Sequence, residues 1–206
     1  MCIRDSSSTN GKWTVETCRE PAQAPVVINA SGAWGDEVAE LAGVCKLGLQ
    51  PLRRTALTFR PRDGIDFTDW PIAVEIAEGF YFKPESGHLM LSPADEIPSD
   101  PCDAQPAEID VAIAIDRIES ATTLRVFRLE HKWAGLRTFT QDRTPVAGFD
   151  PDTPGFFWLV GQGGYGIQTA PGLGQAAAAL ARDTSIPSVL ADAGVTEADL
   201  SPARLR

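Results

Sequence analysis

Apolar and polar positions alternate along Lys12 to Thr17 (KWTVET), and this two-residue period predicts a strand. A proline-bearing turn leads into Pro25-Val26-Val27-Ile28, an unbroken apolar run of the kind a strand shows when both its faces are covered. Small residues follow at Asn29 to Gly35, then Asp36 to Ala42 with acids first and Gly43 just beyond. That order predicts strand, loop and helix, with charge placed to suit the helix dipole. Leu49 to Arg60 is strand-like with basic residues interleaved. Gly79 to Pro84 and His88 to Ser92 flank Glu85-Ser86-Gly87, a short glycine-bearing connection that predicts a hairpin.

The period changes after the Pro, Asp and Ser-rich loop of Asp95 to Gln105. Pro106 opens a helix on which Val111, Ala114, Ile115 and Ile118 make one apolar stripe, and Glu108, Asp110, Asp116 and Glu119 read as a solvated face. Leu124 to Thr140 alternates again, with a break at Gly135. Phe156 to Val160 is a buried strand by its aromatic and apolar content, and Ala170 to Arg182 is an alanine-rich helix. Ser185 to Arg206 reads as helical pieces and a polar tail, and Met1 to Gly11 as a disordered lead-in.

Between the last strand and helix lies Gly161-Gln162-Gly163-Gly164-Tyr165-Gly166, which matches G-x-G-x-x-G. One reading is a phosphate cradle at a helix N-terminus; the other is a tight turn whose glycines supply positive φ. A dinucleotide fingerprint needs a second parallel strand ending in an acid about 20 residues on. Here that stretch is Ile186-Pro187-Ser188-Val189-Leu190, short and broken by proline, which weakens the nicotinamide reading.

With 18 basic and 28 acidic residues the chain carries a formal charge of -10, which argues against a nucleic-acid partner and leaves a small molecule. Cys2, Cys18, Cys45 and Cys102 are scattered and His88 and His131 stand alone, so neither a metal site nor a disulfide framework is expected, in keeping with the cytoplasm. No apolar run reaches membrane-spanning length.

Four stretches, in this order, resemble one family: Val26 to Trp34 (VVINASGAW), Phe80 to Gly87 (FYFKPESG), Trp133 to Thr138 (WAGLRT) and Gly161 to Pro171. The chain is similar to the flavin-dependent D-amino-acid oxidase and dehydrogenase group that includes glycine oxidase and sarcosine oxidase, and matches its C-terminal half. The family's own nucleotide fingerprint, on its first strand and helix, has no counterpart here. The resemblance implies a mixed α+β fold: an antiparallel-rich substrate-binding sheet packed with helices at 49–145, and parts of an FAD-binding βαβ domain at 12–48 and 146–206.

It further implies that Ala30, Gly32, Ala33 and Trp34 lie against FAD, and that Gly161, Gly163, Gly164, Tyr165, Gly166, Ile167 and Gln168 pass beside its ring system. Arg137 takes the family position that clamps a substrate carboxylate, and Tyr81 matches a tyrosine that shares it. The activity implied is hydride transfer from the C–N carbon of a D-amino acid, glycine or N-methyl amino acid to flavin, with no acid or base required of the protein. The second arginine of glycine oxidase corresponds to Gly164, and the flavin-attaching cysteine of sarcosine oxidases has no match, so FAD is expected to be non-covalent in the complete protein. Two other readings stand beside this one: a non-catalytic binding piece that holds no cofactor, and a nicotinamide dinucleotide-binding protein using Gly161 to Gly166.

Overall fold

The computed structural model describes residues 3–9, 11–62 and 64–206. The elements begin with strands β1 (Ile3–Thr9), β2 (Lys12–Thr17), β3 (Ala22–Ala24) and β4 (Val27–Asn29), then helix α1 (Gly35–Leu41). Strands β5 (Gln50–Phe59), β6 (Ala73–Val74), β7 (Tyr81–Glu85), β8 (His88–Ser92) and β9 (Ile97–Pro98) precede helix α2 (Glu108–Ala121). Strands β10 (Leu129–Phe139), β11 (Val146–Phe149) and β12 (Phe156–Val160) come next. Helices α3 (Gly166–Leu180), α4 (Ser188–Asp192) and α5 (Glu197–Leu200) complete the order, with 3-10 turns at Gly32–Trp34 and Pro202–Leu205. The fold is mixed α and β, in two compact units: Met1–Pro51 with Arg137–Arg206, and Leu52–Leu136. Arg137 through Pro145 therefore belong with the first unit.

In the first unit β12 lies between β11 and β4, antiparallel to the former and parallel to the latter. Its unbroken apolar sequence follows from having two covered faces. Phe156, Trp158 and Val160 pack with Trp13, Ala39, Val44 and Leu47 on one side. Phe157 packs with Ala147, Ala176, Ala177 and Leu200 on the other. Burying each large apolar side chain contributes about 1.5–3 kcal/mol, so this strand anchors the loops at its ends. Asp36, in the first turn of α1, accepts hydrogen bonds from the Leu47 and Leu49 amides at 2.9 and 2.8 Å and so ties down the chain leaving that helix.

The N-terminal stretch differs from the pattern reading. Residues 3–9 form a strand antiparallel to β2, with Thr9 opposite Lys12. The reading of Met1, Cys2 and Asn10 as part of a disordered lead-in lies outside the described residues. At the other end α4 and α5 are the helical pieces that the pattern predicts, and the polar end is held as a 3-10 turn. Arg206 donates to Asp150, Asp152 and the Cys45 carbonyl, and Arg204 donates to Asp142 and to the carbonyls of Thr144, Pro145 and Ser201.

In the second unit the sheet order is β10-β5-β8-β7-β6, and β9 also pairs with β5. Leu57, Phe59, Leu89 and Leu91 meet Val111, Ala114 and Ile118 of α2, the stripe that the helical period predicts, with Ile115 at its margin. Asp110 departs from the solvated face assigned to it. It is buried and accepts a hydrogen bond from Arg53 Nη2 at 2.7 Å, because the sheet brings a cation opposite the first helical turn. The β7–β8 connection is a two-residue turn, Ser86-Gly87, with Glu85 paired to His88 and positive φ at both turn residues.

Candidate functional site

Because β4 and β12 are adjacent and parallel, the loops that follow them leave from the same edge of the sheet. One is Ala30 to Trp34 and the other Gly161 to Tyr165, and each leads into a helical segment. The carboxyl edge of parallel strands is where open α/β sheets receive ligands.

Asn29 shapes the first loop. Buried at the end of β4, it donates through Nδ2 to the Gly35 carbonyl at 2.8 Å and accepts from the Ser31 hydroxyl at 2.6 Å, curling Ala30 to Trp34 over itself. Trp34 is left 43% exposed, Ala30 is exposed, and Gly32 is half-buried at a φ of +59° with open space where a Cβ would project. Ala33 points inward and is buried, so it can present only backbone to a ligand.

The second loop runs along the end of β10. Gly163 donates to the Thr138 carbonyl at 2.9 Å. A Cβ on Gly161 would stand 2.8 Å from Thr140 Cγ2, and one on Gly163 would stand 2.7 Å from Phe139 Cδ1 and nearer still to Cε1. Both glycines have positive φ, at 76° and 55°. Close approach and left-handed backbone together explain why these two positions are glycine, which is what the tight-turn reading requires. Gly164 differs: its φ is ordinary, and its Cβ would stand 2.9 Å from Arg137 Nη1. Arg137 thus reaches the loop through the space this glycine leaves.

Arg137 is half-buried, and no carboxylate among the described residues pairs with it. Beside it, Gly164, Tyr165, Ile167 and Gln168 are exposed and Gly166 is half-buried. Helix α3 begins at Gly166, four residues before the alanine-rich stretch, and carries no side-chain cap and no acid in its first turn. Its first amides therefore point to solvent as a weakly positive pole, and Pro171 inside the helix removes one further amide. No strand follows α3 among the described residues, so Ile186 to Leu190 does not supply the second strand of a nicotinamide site.

In the second unit, register pairs Lys83 with Met90, and Met90 with Thr58, on the sheet face opposite Leu57, Leu89 and Leu91. Tyr81 lies on that outer face, half-buried, with its hydroxyl unpaired among the described residues. The buried Ser92 opposite Tyr81 donates to the Thr55 carbonyl at 2.6 Å. Among the described residues no group of three or more His, Cys, Asp or Glu is placed to hold a metal ion, and no helix is long and apolar enough to cross a membrane.

Residues 3–180 match the family described as DAO, FAD dependent oxidoreductase. The chain belongs to this family. It is 31% identical over 182 residues to mouse FAD-dependent oxidoreductase domain-containing protein 1, an alignment covering 77% of this chain and 36% of that protein. Among solved structures it resembles glycine oxidase from Geobacillus kaustophilus (TM-score 0.74, 22% identity, 89% of this chain and 48% of that one). It also resembles the L-α-glycerophosphate oxidase of Mycoplasma pneumoniae with FAD bound (TM-score 0.76, 18% identity, 87% and 50%). The chain thus spans about a third of the curated relative and about half of each solved structure. Those two neighbours take their names from an amino acid and a phosphorylated alcohol, so a shared fold does not assign a substrate.

The residues at the sheet edge fit a large, flat cofactor such as FAD. Trp34, Tyr165 and Ile167 are 43%, 51% and 96% exposed there, large apolar groups of the kind an FAD-binding surface covers. Open space over Gly32 and the uncapped start of α3 add room and polarity suited to it. Asn29, Thr138, Phe139 and Thr140, which shape both loops, carry no family-independent signal beyond lying next to Ala30 and Arg137.

Proposed function

We propose that this chain supplies the substrate-binding sheet and part of the FAD site of an enzyme that oxidises the C–N bond of a D-amino acid, glycine or N-methyl amino acid. The observation that carries this reading is Arg137, a guanidinium without a carboxylate partner among the described residues, admitted to the glycine loop by Gly164. A planar guanidinium can hold a carboxylate by two parallel hydrogen bonds, a contact that orients as well as binds. The chemistry FAD supplies when bound is acceptance of a hydride from the carbon bearing nitrogen, leaving an imine that water hydrolyses to a keto acid and ammonia or an amine.

The chain's own residues do the rest. Arg137 fixes the substrate carboxylate, and Tyr81 serves as a second substrate-binding residue. Ala30, Gly32, Ala33 and Trp34 line the cofactor from one loop, Ala33 through its backbone. Gly161, Gly163, Gly164, Tyr165, Gly166, Ile167 and Gln168 line it from the other, where amides at the start of α3 stabilise negative charge. FAD is held non-covalently. The location proposed with this reading is the cytoplasm, where thiols stay reduced.

The test is Arg137→Leu in the complete protein. Losing a bidentate charged contact raises KM for amino-acid substrates by about 10- to 100-fold, with flavin absorbance per protein unchanged. Equal KM in both forms would remove the arginine's role. The competing reading, a binding piece without cofactor, draws support from the internal contacts that already account for Gly161 and Gly163. It predicts that the 206-residue chain is colourless and gains no flavin on incubation.

A further inference from the structure

We propose that Phe139 and Arg143 are positioning residues for the glycine loop. The Phe139 ring, held in place by the Arg143 guanidinium over its face, is the platform that seats Gly163 and thereby sets Gly164 and Arg137. Arg143 Cζ lies 3.9 Å from the centroid of the Phe139 ring, close enough for a strong cation–π contact. The ring's Cδ1–Cε1–Cζ edge is the surface that a Cβ on Gly163 would strike. Phe139 is buried, so the ring has no freedom to swing away.

Arg143 is itself held in an uncommon conformation. Its φ is +61°, in the left-handed region that side chains other than glycine seldom adopt. The turn around it is over-determined. The Arg143 amide donates to the Thr140 carbonyl at 3.1 Å, the Thr144 amide donates to Asp142 Oδ1 at 3.0 Å, and Arg204 Nε donates to Asp142 Oδ2 at 2.7 Å. Strained backbone that persists under such bracing marks a position whose geometry matters. What the bracing delivers here is a cation placed over an aromatic ring. Phe139 is two residues from Arg137 on the same strand, so one contact governs both the loop and the arginine beside it. Its consequence for flavin rests on the function proposed above; the positioning itself does not.

Amide hydrogen exchange on the cofactor-free 206-residue chain decides it. Arg143→Gln is expected to speed exchange of the Gly163 amide about two- to fivefold relative to the Trp158 amide of β12, and Arg143→Lys to restore the wild-type ratio. Phe139→Leu should speed it likewise, and adding Arg143→Gln to Phe139→Leu should add little at Gly163, since Arg143 acts on that loop through the Phe139 ring. Equal acceleration at Gly163 and Trp158, no acceleration in the Gln variant, or simple additivity in the double variant would overturn the proposal. FAD uptake by the complete protein is read separately. If the exchange pattern holds and no flavin binds, the proposed function fails and the positioning stands.

Discussion

Three glycine-to-alanine substitutions separate what the loops need for folding from what they need for ligands. At Gly163 an alanine meets both obstacles: a left-handed φ of +55° and a Cβ driven into the Phe139 ring. The backbone term costs about 1–2 kcal/mol, and displacing a buried ring costs about 1–3 kcal/mol. Reduced freedom of the unfolded chain returns about 0.4–1 kcal/mol. The net loss is about 1–5 kcal/mol, which for a chain of this size lowers Tm by roughly 2–20 °C. At Gly32 the φ is +59° but the space is open, so only the backbone term applies, about 1 kcal/mol. At Gly164 neither obstacle is present. Its Cβ meets only Arg137 Nη1, the mobile end of a long side chain, so stability changes by no more than about 0.5 kcal/mol.

Urea unfolding followed by tryptophan fluorescence measures the order, Gly163→Ala losing most, Gly32→Ala less and Gly164→Ala least. The same Gly164→Ala change should raise KM for a carboxylate substrate in the complete protein, because it pushes on Arg137 without unfolding the loop. A Gly164→Ala loss equal to that of Gly163→Ala would refute the assignment of these glycines to different tasks.

Two further outcomes concern the C-terminal segment. Asp150 has a fully buried carboxylate that accepts from Arg206 at 2.5 Å and from Trp158 Nε1 at 3.0 Å. Arg206→Leu leaves that charge with neutral donors and should cost about 3 kcal/mol, the lower end for a broken buried pair because Arg206 is 20% exposed; a loss below about 1 kcal/mol in urea unfolding would contradict the role of the pair. Asp142 is held well below the usual carboxylate range, at about 2 instead of 3.8, chiefly by its hydrogen bond to Arg204. A depressed folded-state pKa adds stability that is complete above 3.8 and is lost as pH falls through about 2. The advantage of wild type over Asp142→Asn should therefore shrink across that window in urea unfolding at stepped pH, and a gap that stays constant would show that Asp142 titrates alike folded and unfolded.

Much of the fold is written in local periods, because local periods report which faces are covered. Phe156 to Val160 is legible as a strand since five large apolar residues in succession need two partners, and the structure supplies α1 and β2 on one side and α3 on the other. The α2 stripe is legible for the same reason. Asp110 is not, since its burial depends on Arg53, 57 residues earlier and brought opposite by the sheet. The terminal segment is likewise opaque: Arg204 and Arg206 look like solvated cations until β11 and its flanking turns place Asp142 and Asp150 beneath them.

The glycine loop lies between these cases, and it shows what a motif can carry. G-x-G-x-x-G records that the backbone must turn sharply and approach something closely, and it is silent on what is approached. Phosphate, a flavin ring and a neighbouring strand all impose the same absence of side chain. In this chain the close partner of Gly161 is Thr140 and that of Gly163 is Phe139, residues more than twenty positions earlier, so the pattern that looked like a cofactor signature is accounted for by packing at two of its positions. The informative glycine is the one outside the motif. Gly164 has no left-handed φ to excuse it, and what it spares is an arginine without a carboxylate partner among the described residues. The feature of the loop that its own packing leaves unexplained is therefore the contact between Gly164 and Arg137, and not the nucleotide fingerprint.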